Sequence, residues 1–202
     1  MTKVVVCGPP HSGKSTFASA LIRAIRDRQW KQESHISFTW VPLDVTDNSL
    51  AAIIDPDGEI PQKRDVEWTT ERAEERRAVF AGRDEQLVLA DSPGLITDEL
   101  HIVIEPADTM ILLASREKNE KLDDWKDVSR EVGLDVFAEL TTVLDDDLEP
   151  EWSDRSNRKG TLRSVDREDY EEQRLHAFDD TTRRMVKQLG TDLLKEAAAN
   201  EG

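Results

Sequence analysis

The sequence predicts an α/β fold of three layers, in which helices cover both faces of a mainly parallel β-sheet. Short apolar runs alternate with amphipathic segments along the chain, which is typical of strand–helix–strand units. The first apolar run, residues 3–7, ends on a glycine-containing turn and is followed at once by helical periodicity. A chain of 202 residues has the length of one α/β domain, so we predict a single domain over residues 1–202.

The first half of the chain supplies two strands and a long connection. Residues 3–7 are apolar, as expected of a buried parallel strand, and the apolar positions from Ser15 to Arg28 have helical spacing. The segment from Ile36 to Leu43 is rich in β-formers and predicts a second strand that ends near Asp44. Residues 46–66 contain a strong turn signal and are long for a plain connection, so we expect a substrate loop or a small insertion.

The second half continues the alternation of strands and helices. It comprises a helix from Thr69 or Thr70 to about Ala81, strands over 87–90, 110–114 and 136–144, a helix over 123–132, and a C-terminal segment of helical periodicity. Residues 144–167 are polar, charged and turn-rich, and we expect a mobile segment there. The arginines of this segment, from Arg155 to Arg167, either fold over a bound anion or form surface ion pairs.

Composition restricts the partners and the compartment. The formal net charge is −16, and a surface this acidic disfavours direct binding to nucleic acid. No run of about 18 apolar residues predicts a membrane span, and no secretory signal precedes residue 3. The one cysteine, Cys7, excludes an internal disulfide, lies in an apolar strand and fits a reducing, cytoplasmic location.

The segment that starts at Gly8 carries the most specific motif in the chain. Residues 8–15 match the pattern G-x-x-x-x-G-K-[ST] at every fixed position, between a predicted strand and a predicted helix. The predicted phosphate-binding residues are Gly8, Pro9, Pro10, His11, Ser12, Gly13, Lys14, Ser15 and Thr16. Glycine at the two fixed positions lets backbone N–H groups approach a phosphate chain, and the following helix adds the positive end of its dipole. This pattern is that of the P-loop superfamily of nucleotide-binding proteins.

The remaining polar positions of the loop have separate roles. We predict that Lys14 neutralises the β- and γ-phosphates of the nucleotide, and that the hydroxyl of Ser15 is a ligand of Mg²⁺. His11 occupies a variable position, where it either contacts phosphate or substrate or simply fills the loop.

Two carboxylates complete the predicted site. Asp91 closes the strand over residues 87–90, where such sites hold Mg²⁺ or its water. Asp44 ends the second strand, where it either acts as the general base for an acceptor hydroxyl or forms part of a turn. The segment from Asp91 to Gly94 also has the D-x-x-G form of a GTPase loop. Residues 114–117, however, do not match the Asn-Lys-x-Asp motif that recognises guanine. ATP is therefore favoured over GTP.

Beyond the superfamily, the chain resembles a narrower group. The segments that carry the likeness are Val5 to Ser15, Pro56 to Glu59, Ala107 to Leu113, Asp124-Trp125 and Gly133-Leu134. They are similar to the kinase-like P-loop domain associated with the CRISPR ring nuclease, which degrades cyclic oligoadenylate. The resemblance implies an ATP-binding accessory protein of antiviral defence, with a protein partner in that system.

The leading hypothesis is an ATP-dependent phosphotransferase or NTPase of kinase-like type, with a small molecule or a protein as phosphate acceptor. In this hypothesis Lys14 and Asp44 are the catalytic residues, and Ser15 and Asp91 hold the metal. One alternative is a nucleotide-sensing regulatory module with little turnover. Another is a GTPase-like switch built on residues 91–94.

Overall fold

The computed structural model describes residues 1–31, 35–44, 50–54, 68–144, 148–163, 169–170 and 174–200. The strands are β1 (Thr2–Cys7), β2 (Phe38–Pro42), β3 (Leu87–Asp91), β4 (Thr109–Ser115), β5 (Asp135–Val143), β6 (Glu151–Asp154) and β7 (Lys159–Arg163). The α-helices are α1 (Lys14–Trp30), α2 (Leu50–Ile54), α3 (Thr70–Ala81), α4 (Asp98–Ile104), α5 (Leu122–Val132) and α6 (Asp180–Ala199). Two 3₁₀ helices cover Arg116–Lys121 and Arg174–Ala177.

The described strands form one sheet in the order β2-β3-β1-β4-β5-β7-β6. All neighbours are parallel except β6, which runs antiparallel to β7. In the register, Val6 lies beside Asp91 and Cys7 lies beside Leu112. The carboxyl ends of β1, β3 and β4 therefore meet at one edge of the sheet, which is where parallel α/β sheets bind ligands.

Helices cover both faces of this sheet. Alternate residues of β1 point to opposite sides, so Val4 and Val6 join one buried cluster whereas Val5 and Cys7 join the other. The first cluster includes apolar residues of α1, α2 and α6, and the second includes residues of α3, α4 and α5. The predicted three-layer α/β fold with a mainly parallel sheet is confirmed.

The predicted elements are present with shifted bounds, and several elements were not predicted. One of these is α4, a helix that begins where Thr97 accepts a hydrogen bond from the N–H of Leu100. Of residues 46–66, the structure describes α2, and the remainder of the expected substrate loop lies outside the described residues. None of the helices within the described ranges is long and apolar enough to cross a bilayer.

The β6–β7 hairpin lies in residues 144–167, a polar and turn-rich stretch for which we predicted a mobile segment and no strands. Its strands are short and polar, and the pairing of β7 with β5 and of β6 with β7 outweighs this weak local preference. At Gly160 an added Cβ would lie 2.6 Å from the carbonyl oxygen of Glu151, so the close approach of the two strands requires glycine there.

Candidate functional site

The loop between β1 and α1 has a backbone that its glycines make possible. Gly8 has a φ of 147°, and a Cβ at this position would lie 1.8 Å from the carbonyl oxygen of Leu113 in β4. Gly13 adopts the left-handed conformation, with a φ of 78°, immediately before the first turn of α1. A side chain at Gly8 would collide with β4, and one at Gly13 would strain the backbone, so the two fixed glycines of the motif set the path of the loop.

Side chains of the loop itself hold the carbonyl oxygen of Pro9. The hydroxyl of Ser12 donates to this oxygen at 2.7 Å, and Lys14 Nζ donates to it at 3.0 Å. Both side chains are buried. The negative end of the Pro9 peptide dipole is thus neutralised, which favours the approach of an anion to the loop.

Two residues from distant elements hold the next carbonyl oxygens. Lys118, in the 3₁₀ helix after β4, donates from Nζ to the carbonyl oxygen of Pro10 at 2.5 Å. Thr142, near the end of β5, donates from its hydroxyl to the carbonyl oxygen of Ser12 at 3.1 Å. Sequence analysis missed both residues because they lie 108 and 130 positions from their partners.

Lys14 points its ammonium group into a buried site that contains opposite and like charges. Burial lowers the pKa of Lys14, the negative charges of Asp44 and Asp91 oppose that effect, and the charge of Lys118 adds to it. The Lys14 side chain is buried, with 8% of the residue exposed. A bound anion would offset the loss of hydration of this ammonium group.

Asp91 is almost completely buried beside the loop, with 1% of the residue exposed. Its Oδ2 accepts a hydrogen bond from the backbone N–H of Leu50 at 3.1 Å, whereas its Oδ1 has no hydrogen-bond partner among the described residues. Burial, followed by the charge of Asp44, raises the pKa of Asp91 to about 7, and the Leu50 N–H and Lys14 act in the opposite direction. A buried carboxylate oxygen without a partner fits a cation ligand, because a cation would offset the cost of its burial.

Asp44 lies two positions after the end of β2 and is half-buried. Its charge raises the pKa of both Asp91 and Lys14, which places the carboxylate in the same site. The fold therefore brings together three predicted site residues: Lys14 at the start of α1, Asp44 after β2 and Asp91 at the end of β3. Within the described ranges, no group of three or more His, Cys, Asp and Glu side chains could hold a metal ion.

The segment after Asp91 packs directly on the loop. The backbone N–H of Ser92 donates to the carbonyl oxygen of Val6 at 3.0 Å. At Gly94, an added Cβ would lie 2.9 Å from backbone atoms of Pro10 and 3.1 Å from Lys14 Nζ. The D-x-x-G segment therefore lies against both the loop and the ammonium group of Lys14.

The other predicted residues lie at the start of α1 or farther away. Ser15 is half-buried in the first turn of α1, Thr16 is buried, and His11 is exposed with a φ of 59°. Cys7 is buried, and burial raises the pKa of its thiol to about 12, so it has no thiolate character at neutral pH.

The arginines of residues 144–167 contact parts of the hairpin and its neighbours. The guanidinium of Arg158 lies 3.9 Å from the centre of the Phe137 ring and 3.8 Å from Asp192. Arg163 donates to the carbonyl oxygen of Leu148 at 3.0 Å, and Arg167 lies outside the described residues. These contacts agree with the interpretation of Arg158 as an ion-paired residue.

The fold and the loop define the class: the chain has the fold of P-loop nucleoside triphosphatases. No protein-family model matches the chain, and a search of curated proteins finds no match. Among solved structures, the chain is similar to the septum site-determining protein MinD of Pyrococcus horikoshii complexed with Mg-ADP. The identity is 12%, the TM-score is 0.67, and the similarity covers 98% of each chain.

Two further structures show the same fold. The first is a putative plasmid partition protein of Borrelia burgdorferi bound to AMPPNP, with 11% identity, a TM-score of 0.53, and 100% of this chain and 99% of that chain covered. The second is the MinC:MinD cell division protein complex of Aquifex aeolicus, with 13% identity, a TM-score of 0.57, and 98% of this chain and 96% of that chain covered. At these identities the likeness establishes the fold.

Proposed function

We propose that the protein binds ATP with Mg²⁺ at residues 8–16 and acts as a kinase-like phosphotransferase or NTPase. The observation that carries this proposal is that Lys14 interacts electrostatically with Asp91, whose buried Oδ1 has no hydrogen-bond partner among the described residues, beside a loop of P-loop geometry. An anion would offset the loss of hydration of the buried ammonium group, and a cation would offset the burial of the carboxylate oxygen. A magnesium nucleotide supplies both charges at once.

The roles in binding follow from position. Backbone N–H groups of the loop and of the first turn of α1 face the phosphate chain, and Lys14 neutralises its terminal phosphates. Ser15 and Asp91 are the residues that would hold Mg²⁺, Ser15 from the start of α1 and Asp91 from the end of β3. When bound, Mg²⁺ neutralises phosphate charge and fixes the orientation of the phosphate chain.

Asp44 is the proposed general base. In the reaction, the acceptor oxygen forms a bond to the γ-phosphorus as the bond to the leaving ADP oxygen breaks, and Asp44 takes the proton of the acceptor. A half-buried carboxylate that interacts with both Lys14 and Asp91 is suitably placed for this step. With water as acceptor the same arrangement gives ATP hydrolysis.

The preference for ATP rests on the segment after β4. Residues 114–117 end the strand and begin a 3₁₀ helix, and they are Ala-Ser-Arg-Glu in place of a guanine-reading Asn-Lys-x-Asp. Two of the similar structures contain an adenine nucleotide or its analogue. Both observations favour adenine over guanine.

A regulatory module with slow turnover is the second candidate. The observation that favours it is the exposed pair Leu95 and Ile96, which are 65% and 42% exposed directly after the Gly94 contact with the loop. Apolar side chains next to a nucleotide site are suited to a partner protein that responds to occupancy. The similarity to a chain that forms the MinC:MinD complex supports the same idea.

One experiment separates these candidates. Binding of ATP and GTP is measured by calorimetry with Mg²⁺, and single-turnover assays use labelled ATP, for the wild type, Lys14→Ala and the control Lys121→Ala. Lys121 is exposed in the 3₁₀ helix after β4 and matches Lys14 in charge only. Loss of binding and of turnover in Lys14→Ala alone supports the enzyme. Tight binding without turnover in the wild type favours the regulatory module, and a strong preference for GTP contradicts the ATP proposal.

The narrower proposal of a role in antiviral defence rests on the resemblance to the CRISPR ring nuclease-associated domain. It predicts that cyclic oligoadenylate changes the ATP turnover or the ATP affinity of the protein. Identical turnover and affinity with and without cyclic oligoadenylate would contradict it.

A further inference from the structure

Two consecutive prolines interrupt the donors of the phosphate loop. Backbone N–H groups are what such a loop offers to phosphate, and proline has none. Pro9 and Pro10 therefore leave the first half of the loop with fewer donors than its length allows. The remaining donors lie from His11 onward and in the first turn of α1.

A lysine from another part of the fold lies at this gap. Lys118 Nζ is 2.5 Å from the carbonyl oxygen of Pro10, and the Lys118 residue is half-buried. Its ammonium group carries three N–H donors, of which the Pro10 carbonyl takes one. The next residue, Asn119, accepts a hydrogen bond from the hydroxyl of Thr141 at 2.9 Å, which fastens this helix to β5.

Lys118 also lies within electrostatic reach of Lys14. The two lysines contact successive carbonyl oxygens of the loop, those of Pro9 and Pro10. Two ammonium groups held this close repel each other unless an anion lies between them or beside them. The arrangement therefore favours a ligand with several negative charges.

We propose that Lys118 is a second phosphate-binding lysine, which supplies at Pro10 the positive donor that the backbone lacks there. The proposal rests on the proposed nucleotide binding and adds a residue outside the motif to that site. Lys118 contacts the phosphate chain, so its effect on affinity requires phosphate groups and is independent of the base.

The test compares Lys118→Met, Lys118→Arg and the control Lys121→Met, a substitution at an exposed lysine of the same 3₁₀ helix. Affinities for MgATP and for inorganic pyrophosphate are measured by calorimetry, and thermal unfolding of each variant is recorded. We expect Lys118→Met to weaken both ligands by about 10-fold or more, because a charge-assisted hydrogen bond is lost. Lys118→Arg should recover most of the affinity, and Lys121→Met should match the wild type.

Three outcomes would overturn the inference. The first is an unchanged affinity of Lys118→Met for both ligands. The second is a loss for MgATP with wild-type affinity for pyrophosphate, which would indicate contact with the base or the sugar. The third is a loss that Lys118→Arg does not reduce and that follows a lower unfolding temperature, which would indicate a structural support only. If the wild type binds neither ligand, the proposed function falls with the inference, whereas the three outcomes above leave the function standing.

Discussion

Asp91 Oδ2 accepts a hydrogen bond from the backbone N–H of Leu50 at 3.1 Å, and this contact joins the end of β3 to the first residue of α2. Leu50 and Ile53 are buried in the same cluster as the apolar residues of α1. Asp91, which lies beside the phosphate loop, is therefore hydrogen-bonded to α2, and α2 packs on the helix that follows the loop. The helix α2 lies in residues 46–66, where we expect the acceptor to bind. A cation held by Oδ1 of Asp91 would leave the hydrogen bond from Leu50 to Oδ2 in place.

Asp91→Asn should weaken nucleotide binding in the presence of Mg²⁺ and change it little in the presence of EDTA. The amide keeps the size of the side chain but removes the negative charge that we propose binds the metal. Calorimetry with ATP, with and without Mg²⁺, measures the difference between the two conditions. We expect the wild type to gain affinity from Mg²⁺ and the variant to gain at least about 10-fold less. An equal gain in both proteins would assign the metal to another carboxylate.

The same substitution should change how the stability of the metal-free protein depends on pH. Because burial raises the pKa of Asp91 to about 7, the folded state keeps a proton that the unfolded state releases near pH 4. The stability contributed by this group is therefore full below pH ~4 and is lost as the pH rises to about 7. The loss is of the order of 4 kcal/mol.

Urea unfolding in EDTA at about pH 5 and about pH 8 measures this effect. The free energy of unfolding of the wild type, relative to that of Asp91→Asn, should fall between the two pH values. Titrating groups that do not interact with Asp91 are common to both proteins and cancel in the difference. A difference that stays constant with pH would show that the pKa of Asp91 is not raised in the folded protein.

Gly94→Ala should weaken nucleotide binding without unfolding the protein. The added Cβ would lie 2.9 Å from backbone atoms of Pro10 and 3.1 Å from Lys14 Nζ, so the loop and the lysine have to shift. The matched control is Gly133→Ala, where φ is 75° but no atom lies within 4 Å of the added Cβ. The control should lose about 1 kcal/mol of stability through backbone strain and keep the wild-type affinity. Equal affinities for the two variants would show that the D-x-x-G segment does not affect the loop.

Asp44→Asn should reduce turnover strongly and ATP affinity only slightly. A lost general base costs about 100-fold or more in rate, whereas the amide preserves the shape of the side chain. Single-turnover transfer or hydrolysis across a range of pH measures the rate, and calorimetry measures the affinity. A parallel loss of rate and affinity would assign Asp44 to binding, and an unchanged rate would remove it from the reaction.

The phosphate loop could be predicted from the sequence because its determinants are local. The positive φ angles of Gly8 and Gly13 belong to one short segment with a recognisable motif, and Asp91 follows from its place at the end of an apolar run. Lys118 and Thr142 could not be predicted, since each reaches the loop from more than 100 residues away. Pro9 and Pro10 can be read from the sequence, and their missing N–H groups indicate that a donor from another part of the fold has to serve this part of the loop.

The fold was predictable to a similar extent and for similar reasons. Buried parallel strands are continuous apolar runs, so β1, β3 and β4 were located from the sequence alone. The strand β6 forms the edge of the sheet, and β7 lies between β5 and β6. In β7 buried residues alternate with exposed or partly buried ones, and in β6 exposed residues alternate with partly buried ones. Their sequence resembles that of a polar loop, and their conformation depends on the pairing of β7 with β5 and of β6 with β7.

Thr142→Val should destabilise the fold and weaken nucleotide binding together. The Thr142 hydroxyl is buried and donates to the carbonyl oxygens of Ser12, at 3.1 Å, and of Ala114, at 3.4 Å. Valine keeps the shape but leaves the Ser12 carbonyl oxygen without this donor, at a cost of about 1–3 kcal/mol. Thr142→Ser restores the hydroxyl and should restore affinity, which separates the hydrogen bond from the packing of the methyl group. Urea unfolding measures the stability of both variants, and calorimetry measures their affinity for the nucleotide. If Thr142→Val keeps full affinity despite lower stability, the Ser12 carbonyl does not control how the loop presents its N–H groups.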